Sequence, residues 1–188
     1  MEDRRRGLTV NELVLAGFFA AVTSVLAYIK IPIPIGPVPI SGQTLGVMLS
    51  GGLGGPVTGA AAQAVYVLLG LVGIPVFAGG TSGPGVLLGP TGGYLWSFVP
   101  GAYVIGFLLK RHGKVGSPEA KYRYLKAFTA CMIGGVGIVY VCGVSQLALV
   151  AHLGIVRAVV VGALPFLAGD VMKALIAAFV ISRFPRNF

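Results

Sequence analysis

Asp170 and Lys173 stand three residues apart in LPFLAGDVMKALIAAFVISRF (residues 164–184), a run long and apolar enough to cross a bilayer, with Arg183 near one end. An ionised side chain at the centre of the hydrocarbon costs roughly 2.5–3.5 kcal/mol on insertion scales, so such groups face a protein interior or a cavity. At i and i+3 the two side chains leave the same helix face. Two readings are open: a mutually neutralised structural pair, or a polar ligand site inside a helix bundle. The chemistry on offer is recognition. A carboxylate accepts N–H donors, and an ammonium binds a carbonyl oxygen or a carboxylate. The sequence carries no Walker A motif, no paired carboxylates, no Ser/His/Asp set and no metal-ligand spacing. It therefore gives no support to an enzyme, a metal or a cofactor.

The elements that must position the pair are membrane spans. Of 188 residues, 56% are hydrophobic and 10% charged, against about 25% charged in a soluble domain. An all-α integral membrane protein is expected, a single domain over residues 1–188. Its six transmembrane helices fall at about 13–29, 43–53, 57–71, 93–109, 127–150 and 164–184. The net charge of +9 does not point to nucleic acid, because Lys and Arg collect at span ends. With the N-terminus in the cytoplasm, Arg4–Arg6, the six basic residues of segment 110–126, Arg183 and Arg186 lie inside, and only Lys30 and Arg157 lie outside. That asymmetry places both termini in the cytoplasm. Cys131 and Cys142 fall within one apolar run and read as small core residues rather than a zinc site.

Three further stretches have unusual composition. Pro32, Pro34, Pro37 and Pro39 keep IKIPIPIGPVPIS (29–41) extended, as a lid over a cavity or as a stiff connector. Gln43 and Thr44 follow it and open the second span. GIPVFAGGTSGPGVLLGPTGGY (73–94) is glycine-rich and uncharged. An irregular backbone at membrane depth survives only when buried in protein or lining a cavity, so this is a re-entrant-like loop between the third and fourth helices. Gly79, Gly80 and Gly89 permit close backbone approach to a ligand. Thr91, Gly92 and Gly93 would leave N–H groups free at a helix N-terminus, which suits a carboxylate or phosphate. Phe77, Tyr94 and Trp96 are candidate walls. Finally, Ala16, Ala20 and Ser24 form a smooth stripe on the first span, suited to packing within the bundle or to a partner helix. The loops share the outer face with the first turns of the last span, so an outward cavity for a small polar ligand is expected.

GLVGIPVFAGG (70–80), GPTGGYL (89–95), the Asp170-x-x-Lys173 pair and PIPIGPVPISGQT (32–44) together resemble the BioY family, the biotin-binding substrate components of energy-coupling factor transporters. The resemblance covers essentially the whole chain. It implies a six-helix component of a bacterial or archaeal cell membrane that binds biotin from outside. It also implies partnership with a membrane coupling protein and two cytoplasmic ATPase subunits. Asp170 and Lys173 would then hold the ureido ring, with Tyr94 and the backbone around Gly89 on the loop side. Ala16 and Ala20 would dock the coupling protein. Some members carry a basic residue after the tyrosine, where this chain has Leu95, leaving the Thr91–Gly93 N–H groups and Lys173 as candidates for the ligand's carboxylate. Outside that resemblance, a self-sufficient facilitator, a carrier using Asp170 to couple protons, and a membrane enzyme or lipid-binding scaffold remain as alternatives.

Overall fold

A computed structural model describes residues 8–31, 38–110 and 120–184. Arg4–Arg6, Pro32, Pro34, Pro37, Arg186 and most of the basic loop lie outside the described residues, and with them those parts of the lid and charge readings.

The chain is mostly helical. Helix α1 spans Val10–Ala27 and opens on a capping box, in which Thr9 accepts from the Glu12 amide and Glu12 accepts from the Thr9 amide. A two-stranded antiparallel ribbon follows, β1 (Lys30–Ile31) pairing with β2 (Ile40–Ser41) in the register Lys30↔Ser41. Helix α2 is recorded over Gln43–Leu71 but breaks at Gly55, where φ 77° and ψ −178° are non-helical and Pro56 restarts the helix. Its two arms fold back on each other. Gln43 donates to Tyr66, Gln63 donates to Ser50 at 2.8 Å, and Gly59 lies directly on Gly51. The short α3 (Pro84–Leu88) lies in the glycine-rich loop, and α4 runs Gly92–Leu109. Helix α5 (Ala120–Cys131), a π-helical stretch Met132–Ile138 and α6 (Val139–Val150) form one continuous rod. Helix α7 (Ile155–Gly162) carries Arg157 on a helix rather than in a plain connection, and α8 covers Leu164–Arg183. Five of these helical segments, α2 taken as one, are long and apolar enough to cross a membrane.

The hairpin of α2 is central, with α1, α4 and α8 packed around it and the α5–α6 rod closing the bundle against α4 and α8. Glycine allows the close crossings: a Cβ on Gly101 would lie 2.7 Å from the Gly134 carbonyl oxygen, and one on Gly134 2.6 Å from that of Gly101.

Two expectations are corrected here, those for Cys142 and Trp96, while Ala16 and Ala20 show the packing within the bundle that was one of their two readings. Ala16 and Ala20 are 2% and 1% exposed, Ala16 packed with Phe19 and Ala62 and Ala20 joined to the main core. They are closed off by the chain's own packing, and the open face of α1 instead carries Val10, Leu13, Val14 and Phe18. Cys131 is buried as expected, but Cys142 is exposed on the outside of the rod. Trp96 also faces outward, 47% exposed, with its indole N–H 3.3 Å from the Leu87 carbonyl, and is no wall of a cavity.

Candidate functional site

A cavity of about 260 Å³ opens where β1, β2, the glycine-rich loop and the first halves of α2, α4, α6 and α8 meet. Its polar side is built on Asp170, which is 3% exposed. Thr44 Oγ1 donates to Asp170 Oδ1 at 2.7 Å, Lys173 Nζ to the same oxygen at 2.8 Å, and the Tyr140 hydroxyl to Oδ2 at 2.6 Å. Two carboxylate oxygens offer about four acceptor sites, so roughly one lone pair, on the Tyr140 side, is left for a ligand. Lys173 also donates to the Ser41 carbonyl at 2.5 Å and lies 3.1 Å from Thr44 Oγ1. Its three protons therefore have three protein acceptors. The pair is neutralised, as the first reading has it, and it lines an open space, which keeps the second reading available.

Local sequence places these groups. A π-helical stretch shifts the register of a rod relative to an uninterrupted α-helix, and Met132–Ile138 ends just before Tyr140. Tyr140 reaches Asp170 from that point. Thr44 occupies the first turn of α2, immediately after the ribbon. Gln43 is buried and lines the cavity, but its amide is held at both ends: the Ser41 hydroxyl donates to its oxygen at 2.8 Å, and its nitrogen donates to Tyr66.

The loop side contributes apolar walls and backbone. Phe77, Gly89, Thr91 and Tyr94 line the cavity. Phe77 lies against Gly70, edge-on to Tyr66 with ring centroids 5.7 Å apart, and so fixes the loop to α2. The Tyr94 hydroxyl donates to the Gly162 carbonyl at 2.7 Å, leaving its ring as the surface offered. Gly92 and Gly93 do not line the space. A Cβ on Gly92 would lie 2.5 Å from Gln146 Nε2, and one on Gly93 2.4 Å from the Cys142 carbonyl oxygen. These two glycines let α4 meet α6, and the Gly92 N–H is taken by the Gly89 carbonyl at 3.1 Å. Gly79 and Gly80, at φ 69° and 78°, form the loop's turn. Gly79 donates its N–H to the Ala27 carbonyl, and Gly80 to that of Phe77.

Sequence reasoning missed Tyr140 and Lys30. It gave Gln146 no role. Gln146 Nε2 donates to the Leu87 and Gly89 carbonyls at 2.9 and 2.8 Å, fastening the loop. An amide within an apolar span is the signal available for Gln146; Tyr140 left none, because its direction depends on the π turns before it.

The arrangement is a pocket with one anchored carboxylate, one anchored ammonium, and walls from Phe77, Tyr94, Phe98 and Phe166. Comparison with known proteins agrees on the class. The description "BioY family" matches residues 1–188. A protein of Rhizobium etli called biotin transporter BioY is 39% identical, over 92% of both chains. The biotin transporter BioY of Thermotoga maritima is 41% identical over 93% of this chain and 95% of its own. Among solved structures, that of the S-component for biotin from an ECF-type ABC transporter superposes with a TM-score of 0.82 at 29% identity, covering 94% of each chain.

Proposed function

The chain belongs to the BioY family, and from that premise we propose that it is the biotin-binding membrane substrate component of an ECF-type vitamin uptake transporter. It is a transport protein, not an enzyme. The observation that carries the ligand is the cavity itself. It combines aromatic walls with a buried carboxylate that keeps one acceptor position open. A ureido ring supplies N–H donors to such an acceptor, and a thiophane with an acyl chain suits the walls. Asp170 is the group assigned to the ureido N–H. Lys173 holds Asp170 in place and neutralises it, and Tyr94, Phe77, Thr91 and Gly89 form the loop-side contacts.

The single domain crosses the membrane six times: α1, each arm of α2, α4, the α5–α6 rod and α8. The first arm of α2 is about 18 Å long, short for a bilayer core of about 30 Å, and the ribbon before it completes that side. Both termini are cytoplasmic and the cavity opens outward. Transport energy comes from a membrane coupling protein and two ATPase subunits, of which this chain has no part.

The test is equilibrium binding of biotin to the purified, detergent-solubilised chain without partners, with thiamin and riboflavin as controls. Tight binding of biotin alone is expected. A folded chain that binds none of the three refutes the assignment. Uptake driven by a proton gradient in vesicles without any ATPase would replace it with the carrier reading.

A further inference from the structure

We infer that Lys30 receives the carboxylate of the bound ligand, making the site selective for a monoanion. The inference rests on the biotin reading and adds to it the subsite for the acid end. Among the described residues, the charged ones lining the cavity are Lys30, Asp170 and Lys173, a net charge of +1. Asp170 and Lys173 cancel at 2.8 Å. The surplus charge is therefore that of Lys30, whose ammonium has no hydrogen bond or ion pair among the described residues. A site with one uncompensated cation favours a ligand carrying one negative charge.

The other candidates for that carboxylate, the uncharged Thr91 backbone apart, are occupied or turned away. Each proton of Lys173 has an acceptor in Ser41, Thr44 or Asp170. The Gly92 N–H is bonded to Gly89, and Gly93 is walled in by α6. Leu95 lines the cavity without a charge.

The loop is shaped to accept Lys30. A Cβ on Gly79 would lie 2.6 Å from Lys30 Cδ and 3.1 Å from Lys30 Nζ, so the lysine stem lies across a turn that only glycine leaves open. In the ribbon Lys30 pairs with Ser41, whose carbonyl holds Lys173. One ammonium thus sits on the ribbon and the other, from α8, is held against the paired strand position, one available and one engaged. A ligand with its ureido ring on Asp170 can lead its acyl chain towards the Lys30 side of the same opening.

The experiment compares biotin with biotinamide, which lacks the negative charge, on the wild-type chain, Lys30→Gln and Lys30→Arg in detergent. Wild type should prefer biotin by about tenfold or more, the scale of one charge-assisted hydrogen bond. Lys30→Gln should bring the two affinities within about twofold of each other by weakening biotin alone, and Lys30→Arg should retain the preference. Unchanged biotinamide binding shows that the variant is folded. A preference that persists in Lys30→Gln overturns the inference and moves the carboxylate to the Thr91 backbone, with the biotin reading intact. A wild-type chain that binds neither compound overturns the biotin reading itself.

Discussion

Asp170 is held by three donors from three other positions, and removing its charge tests each of them. Asp170→Asn replaces an acceptor by a mixed donor and acceptor, and it faces the Tyr140 and Thr44 hydroxyls and Lys173 at 2.6–2.8 Å. Hydrogen bonds to charged groups contribute more than neutral ones, so biotin affinity should fall roughly 10- to 100-fold. Size-exclusion chromatography in detergent should still show a folded chain. Tyr140→Phe removes one donor and keeps the ring, so a loss under about tenfold is expected in the same titration. If both variants bind as wild type does, Asp170 belongs to the scaffold and not to the ligand. The pair at i and i+3 was legible in the sequence because a charge in an apolar run is costly wherever it falls. Tyr140 was not, because nothing in MIGGVGIVY states that the first seven residues wind as a π-helix. Glycines 92 and 93 were legible as necessary but not in their role: absence of a side chain serves a ligand and a crossing helix equally well.

At the scale of the element, the decisive position is Gly55. Its φ of 77° with ψ near 180° lies in a region essentially closed to other residues, at a cost of order 1–3 kcal/mol. The turn is also crowded, since a Cβ on Gly106 of α4 would lie 2.3 Å from the Pro56 nitrogen. Gly55→Ala should lower the thermal midpoint in detergent by roughly 3–10 °C. Gly17→Ala on the open face of α1, where a Cβ meets nothing within 4 Å, should leave it unchanged or slightly raised, because Ala is the better helix former. Equal effects at both sites would mean that the hairpin does not depend on the Gly55 backbone. The spans expected at 43–53 and 57–71 already separated the two arms, on either side of Gly55 and Pro56. The stripe Ala16, Ala20 shows the complementary limit. Spacing of four places residues on one face of a helix without saying which neighbour that face meets, and here it meets Ala62 and the core of the same chain.

Across the whole molecule, the two ends of α8 are in opposite electrostatic surroundings. Near its start Asp170 and Lys173 face the cavity, where Lys30 is the one surplus cation among the described residues. At its other end Arg123 Nη2 donates to the Ser182 carbonyl at 2.8 Å and Arg183 lies over the Phe179 ring at 5.2 Å, cations placed where a helix C-terminus favours them. In the sequence, α8 is followed by Arg186 and α5 is preceded by the basic segment. The cation-rich end of a membrane protein stays in the cytoplasm, which is the ground for the proposed outward opening of the cavity. The orientation is checked by placing single cysteines in a chain whose Cys131 and Cys142 are replaced by Ala. A membrane-impermeant maleimide should label Ser82→Cys in intact cells, because Ser82 lies in the loop that borders the cavity. It should label Ser117→Cys, in the basic loop, only after lysis. The reverse pattern would put the cavity on the cytoplasmic side, where it would meet biotin already taken up, and the chain would then serve release or export rather than capture.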